Sequence, residues 1–204
     1  NQAFEQFVIV TGGDTGFFAD KGWLFGSVLA AIVAMVIIGG IRSIARVTSK
    51  LVPFMAIAYI IGALTVIAFN ADRVPWAFGA IFTEAFNPEA IGGGILGIMI
   101  MGFQRAVFSN EAGTGTETMA HGAAKTTEPI REGLFAMLGP FIDTLIVCSI
   151  TAIIILLSGV YVEDLNGVSM TAEAFKRELG IPGQIFLTIA VLNFALSTMF
   201  GYSY

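Results

Sequence analysis

Residues 92–124 read GGGILGIMIMGFQRAVFSNEAGTGTETMAHGAA, and this stretch decides the fold. It begins as an apolar helix. With no hydrophilic loop it then passes through Gln104, Arg105, Ser109, Asn110 and Glu111 into a glycine-rich run. At ~1.5 Å per helical residue it is longer than one crossing of a ~30 Å hydrocarbon layer requires. Polar side chains and helix-breaking glycines at membrane depth are costly except where backbone lines a cavity. Discontinuous helices of this kind build the midplane solute and ion sites of secondary transporters. The segment therefore reads as half of such a site. The competing reading is a cytoplasmic loop beginning at Arg105. The high glycine and alanine content through Ala124 stands against it.

Working outward, the composition is that of a membrane protein. The chain is 56% hydrophobic and only 12% charged, about half the charge of an average soluble domain. A net charge of -5 argues against nucleic acid as a partner and against a polybasic lipid-binding patch. Cys148 is the single cysteine, which excludes an intrachain disulfide framework and reads as a small buried hydrophobe. His121 is the single histidine, with no cysteine or histidine at ligand spacing. It reads as a loop or helix-end residue, and neither a resident metal nor a cofactor is expected. Without a nucleophile–base or metal cluster, the chain is not expected to be an enzyme.

Four further hydrophobic segments, 23–41, 51–71, 133–161 and 181–204, flank the broken one. Together they predict an all-α, multi-pass membrane protein with about five transmembrane segments in one partial transporter domain, 1–204. Arg42, Arg46 and Lys50 crowd the link between the first two spans, which places it in the cytoplasm. Residues 72–89 then fall outside, Lys125 and Arg131 return to the cytoplasm, and the acidic stretch 163–180 lies outside. Short helices are expected at 74–86 and at 171–179, the latter capped by Ser169 or Thr171. The first twenty residues read as an outer loop turned by Gly12, Gly13, Asp14 and Gly16. The chain opens at Asn1 without a methionine and stops at Tyr204 within an apolar run. The expectation is a fragment of a longer protein, whose remainder would be its partner in any complete site.

Within the broken helix, freed carbonyls suit a cation and freed amides an anionic group. Gly113 and Gly115 permit the dihedrals such a break needs. Ser109 and Asn110 suit a polar or zwitterionic solute, whose apolar side Phe108 would cover. Glu111 either takes part in cation or proton exchange or pairs with Arg105 to tie two half-helices together. Asp143 lies nine residues into a long span and must face protein or water. A helix-packing hydrogen bond and a proton or ion role are both open to it. Near the chain end, Ser197 and Thr198 are adjacent hydroxyls that either ligate a small cation or bond back to preceding carbonyls. Tyr202 lies one turn beyond Thr198 on the same face.

The stretches IIGGIRSIARVTSKLVPFMAIAYI, GFQRAVFSNEAGTG, FIDTLIVCSITAIIILLSG and LSTMFGYSY resemble the alanine or glycine:cation symporters, also called sodium:alanine symporters or amino acid carrier proteins. The resemblance runs from about Trp23 to Tyr204. It implies a leucine-transporter-like inverted-repeat fold, of which the fragment would carry the fourth to eighth core helices. It puts Gln104 to Gly113 at the break of the sixth core helix, as solute-binding positions. It also places Ser197 and Thr198 at a sodium site shared with the first core helix, with Thr198 and Tyr202 bordering the solute. Tyr202 stands where family members commonly carry tryptophan. The implied function is sodium-driven symport of a small neutral amino acid, alanine or glycine, across the inner (plasma) membrane. A same-fold transporter coupled to protons, or carrying another small solute, is the alternative.

Overall fold

A computed structural model of the chain describes residues 2–86, 88–109, 118, 121–122 and 124–203. Every regular element among these residues is helical. The chain divides into two compact units, residues 1–69 with 154–204 and residues 70–153. Each is described by itself.

The first unit opens with α1 (Gln2–Val10), where an outer loop was expected. Its helix has an evident cause: Phe4 and Phe7 are three apart and so share a face. Both rings meet Phe25, at centroid distances of 5.3 and 5.2 Å. The expected turns follow, with Gly12 and Gly13 at φ 126° and 65°, values that favour glycine. Helix α2 (Gly22–Ile38) ends at Gly39, and Gly40 starts α3 (Gly40–Phe69) at φ 68°. The basic link expected between the first two spans is therefore helical. Arg42, Arg46 and Lys50 recur every fourth residue along one face of α3.

The core of this unit is aromatic. Tyr59 of α3 is buried, with ring centroids 6.1 Å from Phe175 and 5.8 Å from Phe194. Phe175 in turn lies 5.9 Å from Phe186. Gly62 lets the two helices approach: a Cβ there would sit 2.5 Å from Phe186 Cε1. Two helices complete the unit, α7 (Val168–Leu179) and α8 (Ile181–Tyr202), numbered to follow α6 of the second unit. Neither Ser169 nor Thr171 caps α7. Its N-terminal residue is preceded by Gly167, and the Val168 N–H donates instead to Gln2 Oε1 of α1 at 2.8 Å. Ser169 Oγ accepts from Gln6 Nε2 at 3.0 Å. Between α7 and α8, Gly180 turns the chain at φ 71° and Pro182 sits in the first turn of α8. Gly183 packs so closely that a Cβ would fall on the Phe175 carbonyl oxygen.

The second unit holds α4 (Val74–Ala85), α5 (Pro88–Ser109) and most of a long helical run, α6, Pro129–Ser158. Proline occupies the first turn of α4 and of α6, where its missing N–H costs nothing. After Gly139 and Pro140, α6 widens into a π-helical stretch, Phe141–Cys148, before returning to α geometry at Ser149–Ser158. A proline ring inside a helix disrupts the preceding turn, and the widened stretch begins immediately after it. Near the end of α6, Ile154 and Leu157 are fully buried and belong to the first unit.

Among the described residues three helices are long and apolar enough to cross a membrane: Gly40–Phe69, Pro129–Ser158 and Ile181–Tyr202. Helix α2 is apolar but shorter, at 17 residues, about 26 Å long.

Candidate functional site

The residues singled out for solute and cation binding fall in both units. In the second unit, α5 carries Gln104 and Ser109, both exposed. Asn110, Glu111 and Gly113, with the expected break and the Arg105–Glu111 pair, lie outside the described residues, as does the Phe108 side chain. Ser109 Oγ donates a hydrogen bond to Asp143 Oδ2. Asp143 itself is half-buried in the π-helical stretch of α6. Cys148 closes the same π-helical stretch. That cysteine is exposed, a correction to its reading as a buried hydrophobe. The Ser109–Asp143 contact joins residues 34 apart in sequence, so no local motif signals it.

Farther along the same unit, His121 Nδ1 lies 2.7 Å from Glu132 Oε1 near the start of α6. The two line a hollow of about 460 Å³ with Thr118, Thr126, Pro129 and Gly133. His121 thus ties the segment after α5 to the first turns of α6, a helix-end role.

In the first unit, Ser197 and Thr198 both donate to the Phe194 carbonyl oxygen, each at 2.9 Å. This is the back-bonded geometry common to hydroxyls in apolar helices. A hydroxyl that donates its proton still keeps lone pairs, so both oxygens retain ligand capacity toward a cation. Ser197 is half-buried and Thr198 exposed. Thr198 and Tyr202 line a groove of about 610 Å³ whose opposite wall is α2, including Gly26, Ala30 and Ala34. Those small residues recur every fourth position, which lets a neighbour come close to the α2 backbone. Tyr202 is 55% exposed, so the aromatic position keeps open space beside it.

Comparison with known proteins identifies the family. The profile of the sodium:alanine symporter family matches residues 2–204. The chain is 45% identical over 184 residues to a sodium/alanine symporter, AgcS, of Methanococcus maripaludis, covering 88% of this chain and 40% of that protein. It is 35% identical to a sodium/proton-dependent alanine carrier protein of Bacillus sp. strain PS3, covering 88% of this chain and 44% of that protein. It is also 35% identical to a probable sodium/glutamine symporter, GlnT, of Bacillus subtilis, over 88% of this chain and 38% of that protein. The chain thus spans about two fifths of the length of these relatives. It belongs to the sodium:alanine symporter family, a family of membrane transporters.

Proposed function

We propose, with that membership as premise, that the full-length protein carries a small neutral amino acid, alanine or glycine, across the plasma membrane on a sodium gradient. The work is transport, with no covalent chemistry, and the chain crosses the bilayer several times. In this reading Gln104, Phe108, Ser109, Asn110, Gly113, Thr198 and Tyr202 are the solute-binding residues. Ser197 and Thr198 contribute two oxygen ligands to sodium, with the rest of the shell supplied from outside residues 1–204. The observation that carries the assignment is the hydroxyl pair. Both protons are turned onto one carbonyl, so two hard oxygens keep lone pairs, and the Thr198 side chain lines an open groove.

Sodium bound there favours the outward-open state that accepts solute, and solute binding then lets the site open inward. Each ligand must raise the other's affinity by the same factor. The test is radiolabelled alanine uptake into proteoliposomes containing the full-length protein. Accumulation should require an inward sodium gradient. Thr198→Ala should raise the half-saturating sodium concentration by about tenfold, the equivalent of one good ligand contact. Accumulation that persists with neither a sodium nor a proton gradient would sink the proposal.

A second reading, coupling to protons alongside or instead of sodium, is favoured by the Ser109–Asp143 contact at membrane depth. It is also in keeping with the sodium/proton-dependent carrier among the relatives.

A further inference from the structure

Helix α3 carries a stripe whose character changes once along its length. At about 100° per residue, Arg42, Arg46 and Lys50 fall within one arc of the helix. Phe54, Ile57, Ile61 and Leu64 continue the same arc. All seven are exposed, the four apolar ones by between 49% and 72%. The buried residues Ile44, Tyr59, Ala63 and Val66 fall on the opposite arc. Pro53 stands near the change of character, and the helix runs on through it.

The spacing along the axis matches one leaflet of a bilayer. From Phe54 to Leu64 the apolar part covers about 15 Å, half of a ~30 Å hydrocarbon layer. Lys50 lies one turn outside Phe54 and Arg46 one turn farther, which sets them at headgroup depth when the apolar part lies among acyl chains. Arg42 is another turn out. The net charge of -5 belongs to the whole chain, whereas a headgroup responds to charge within about 8 Å. Between Lys21 and Asp72 the sequence holds no acidic residue, so the balance along this stretch is positive. An acidic protein segment or a free phosphate would match the cations and leave the apolar part of the stripe in water. A phospholipid matches both parts, in this order.

We propose that the stripe is a binding site for an anionic phospholipid. Arg46 and Lys50 hold the phosphate, and an acyl chain lies along Phe54, Ile57 and Ile61. Arg42 adds attraction from one turn away. A zwitterionic headgroup brings its own ammonium to the same cations, so the site selects a lipid of net negative charge. The site is independent of the solute reading and needs only that α3 cross the bilayer.

The experiment places an indole on the stripe by Phe54→Trp in the full-length protein, reconstituted in mixed bilayers. It reads the quenching of that indole by phosphatidylglycerol or phosphatidylcholine with brominated acyl chains, after subtracting the signal of the parent protein. Phosphatidylglycerol should be preferred at this position on the order of tenfold, and less so in ~1 M salt. Arg46→Gln and Lys50→Gln should each lower the preference, and together bring it close to one. Arg42→Gln should have the smallest effect of the three.

Little quenching by either lipid would mean that protein covers the stripe, and overturns the proposal. Equal quenching by both, or a preference that the double variant leaves intact, also overturns it. So does loss of the preference on adding soluble glycerol phosphate, because the acyl chain would then contribute nothing. Should Phe54→Trp not fold, Ile57→Trp or Ile61→Trp reads the same stripe.

Discussion

In the unit that ends at Tyr204, rings interlock. Tyr59 touches Phe175 and Phe194, Phe175 touches Phe186, and glycines at 62 and 183 open the space those contacts need. In residues 70–153 the side-chain links between described segments are polar: Ser109 to Asp143 and His121 to Glu132. Large apolar side chains there, such as Ile130, Phe135 and Met137, stand exposed. The first unit has an aromatic core, with polar ties from α1 to α7 at its edge. The second joins described segments through polar side chains that are not enclosed by such a cluster.

The comparison is sharpest if core truncation in the first unit dominates. Phe175→Ala should destabilise the folded protein by about 3–5 kcal/mol, since the side chain is fully buried. Thermal unfolding of purified full-length protein in detergent would read this, and a loss under about 1 kcal/mol would deny that the aromatic cluster is a core. Next, Gly62→Val should cost about 1–3 kcal/mol through overpacking against Phe186. Pairing it with Phe186→Leu should recover part of the loss. If the double variant is no more stable than the single, the close approach at Gly62 is not the cause.

Smaller effects belong to the surface. Glu163→Gln removes one of the partners of Arg177, which also pairs with Glu173, and both side chains of the lost pair are more than a third exposed, so less than about 1 kcal/mol is expected. The difference from wild type should shrink further in ~1 M salt. A loss that ignores salt would mean the pair is more enclosed than its exposure indicates. Smallest of all, Phe135→Ala in the second unit should shift stability by no more than about 0.5 kcal/mol. A cost matching that of Phe175→Ala would break the contrast, because it would mean that this face is packed in the full-length protein.

Much of the architecture was legible because long uncharged runs have few other uses. The helices through 51–69 and 181–202, and the long apolar run holding Asp143, all declare themselves by composition. The helical character of 2–10 was not, because its anchors, Phe4 and Phe7, find their partner rings only in tertiary structure. The basic link was hidden by a charge rule that says which side of the membrane residues occupy and nothing about their conformation. Its four-residue spacing, Arg42 to Arg46 to Lys50, was the signal of a helix that went unread. Of the candidate site, the nearness of Ser197, Thr198 and Tyr202 follows from their places on one helix. Asp143 was visible as an intramembrane acid, but its partner was not, since Ser109 lies 34 residues earlier. The place of Cys148 depends on the local widening of α6, which apolar periodicity does not encode.

That widened stretch makes α6 sensitive to length. A π-helical turn is what an α-helix becomes when it accommodates a surplus residue. Deleting one residue between 141 and 148 would let the helix close back to regular geometry with its hydrogen bonds intact. The two ends of the helix would keep nearly their present phase, because the widened turn had already absorbed the extra residue. The same deletion after Cys148, where α geometry is regular, would turn one end against the other by about 100°. Composition would barely register either change. In this part of the chain, residue count constrains the protein as tightly as residue identity.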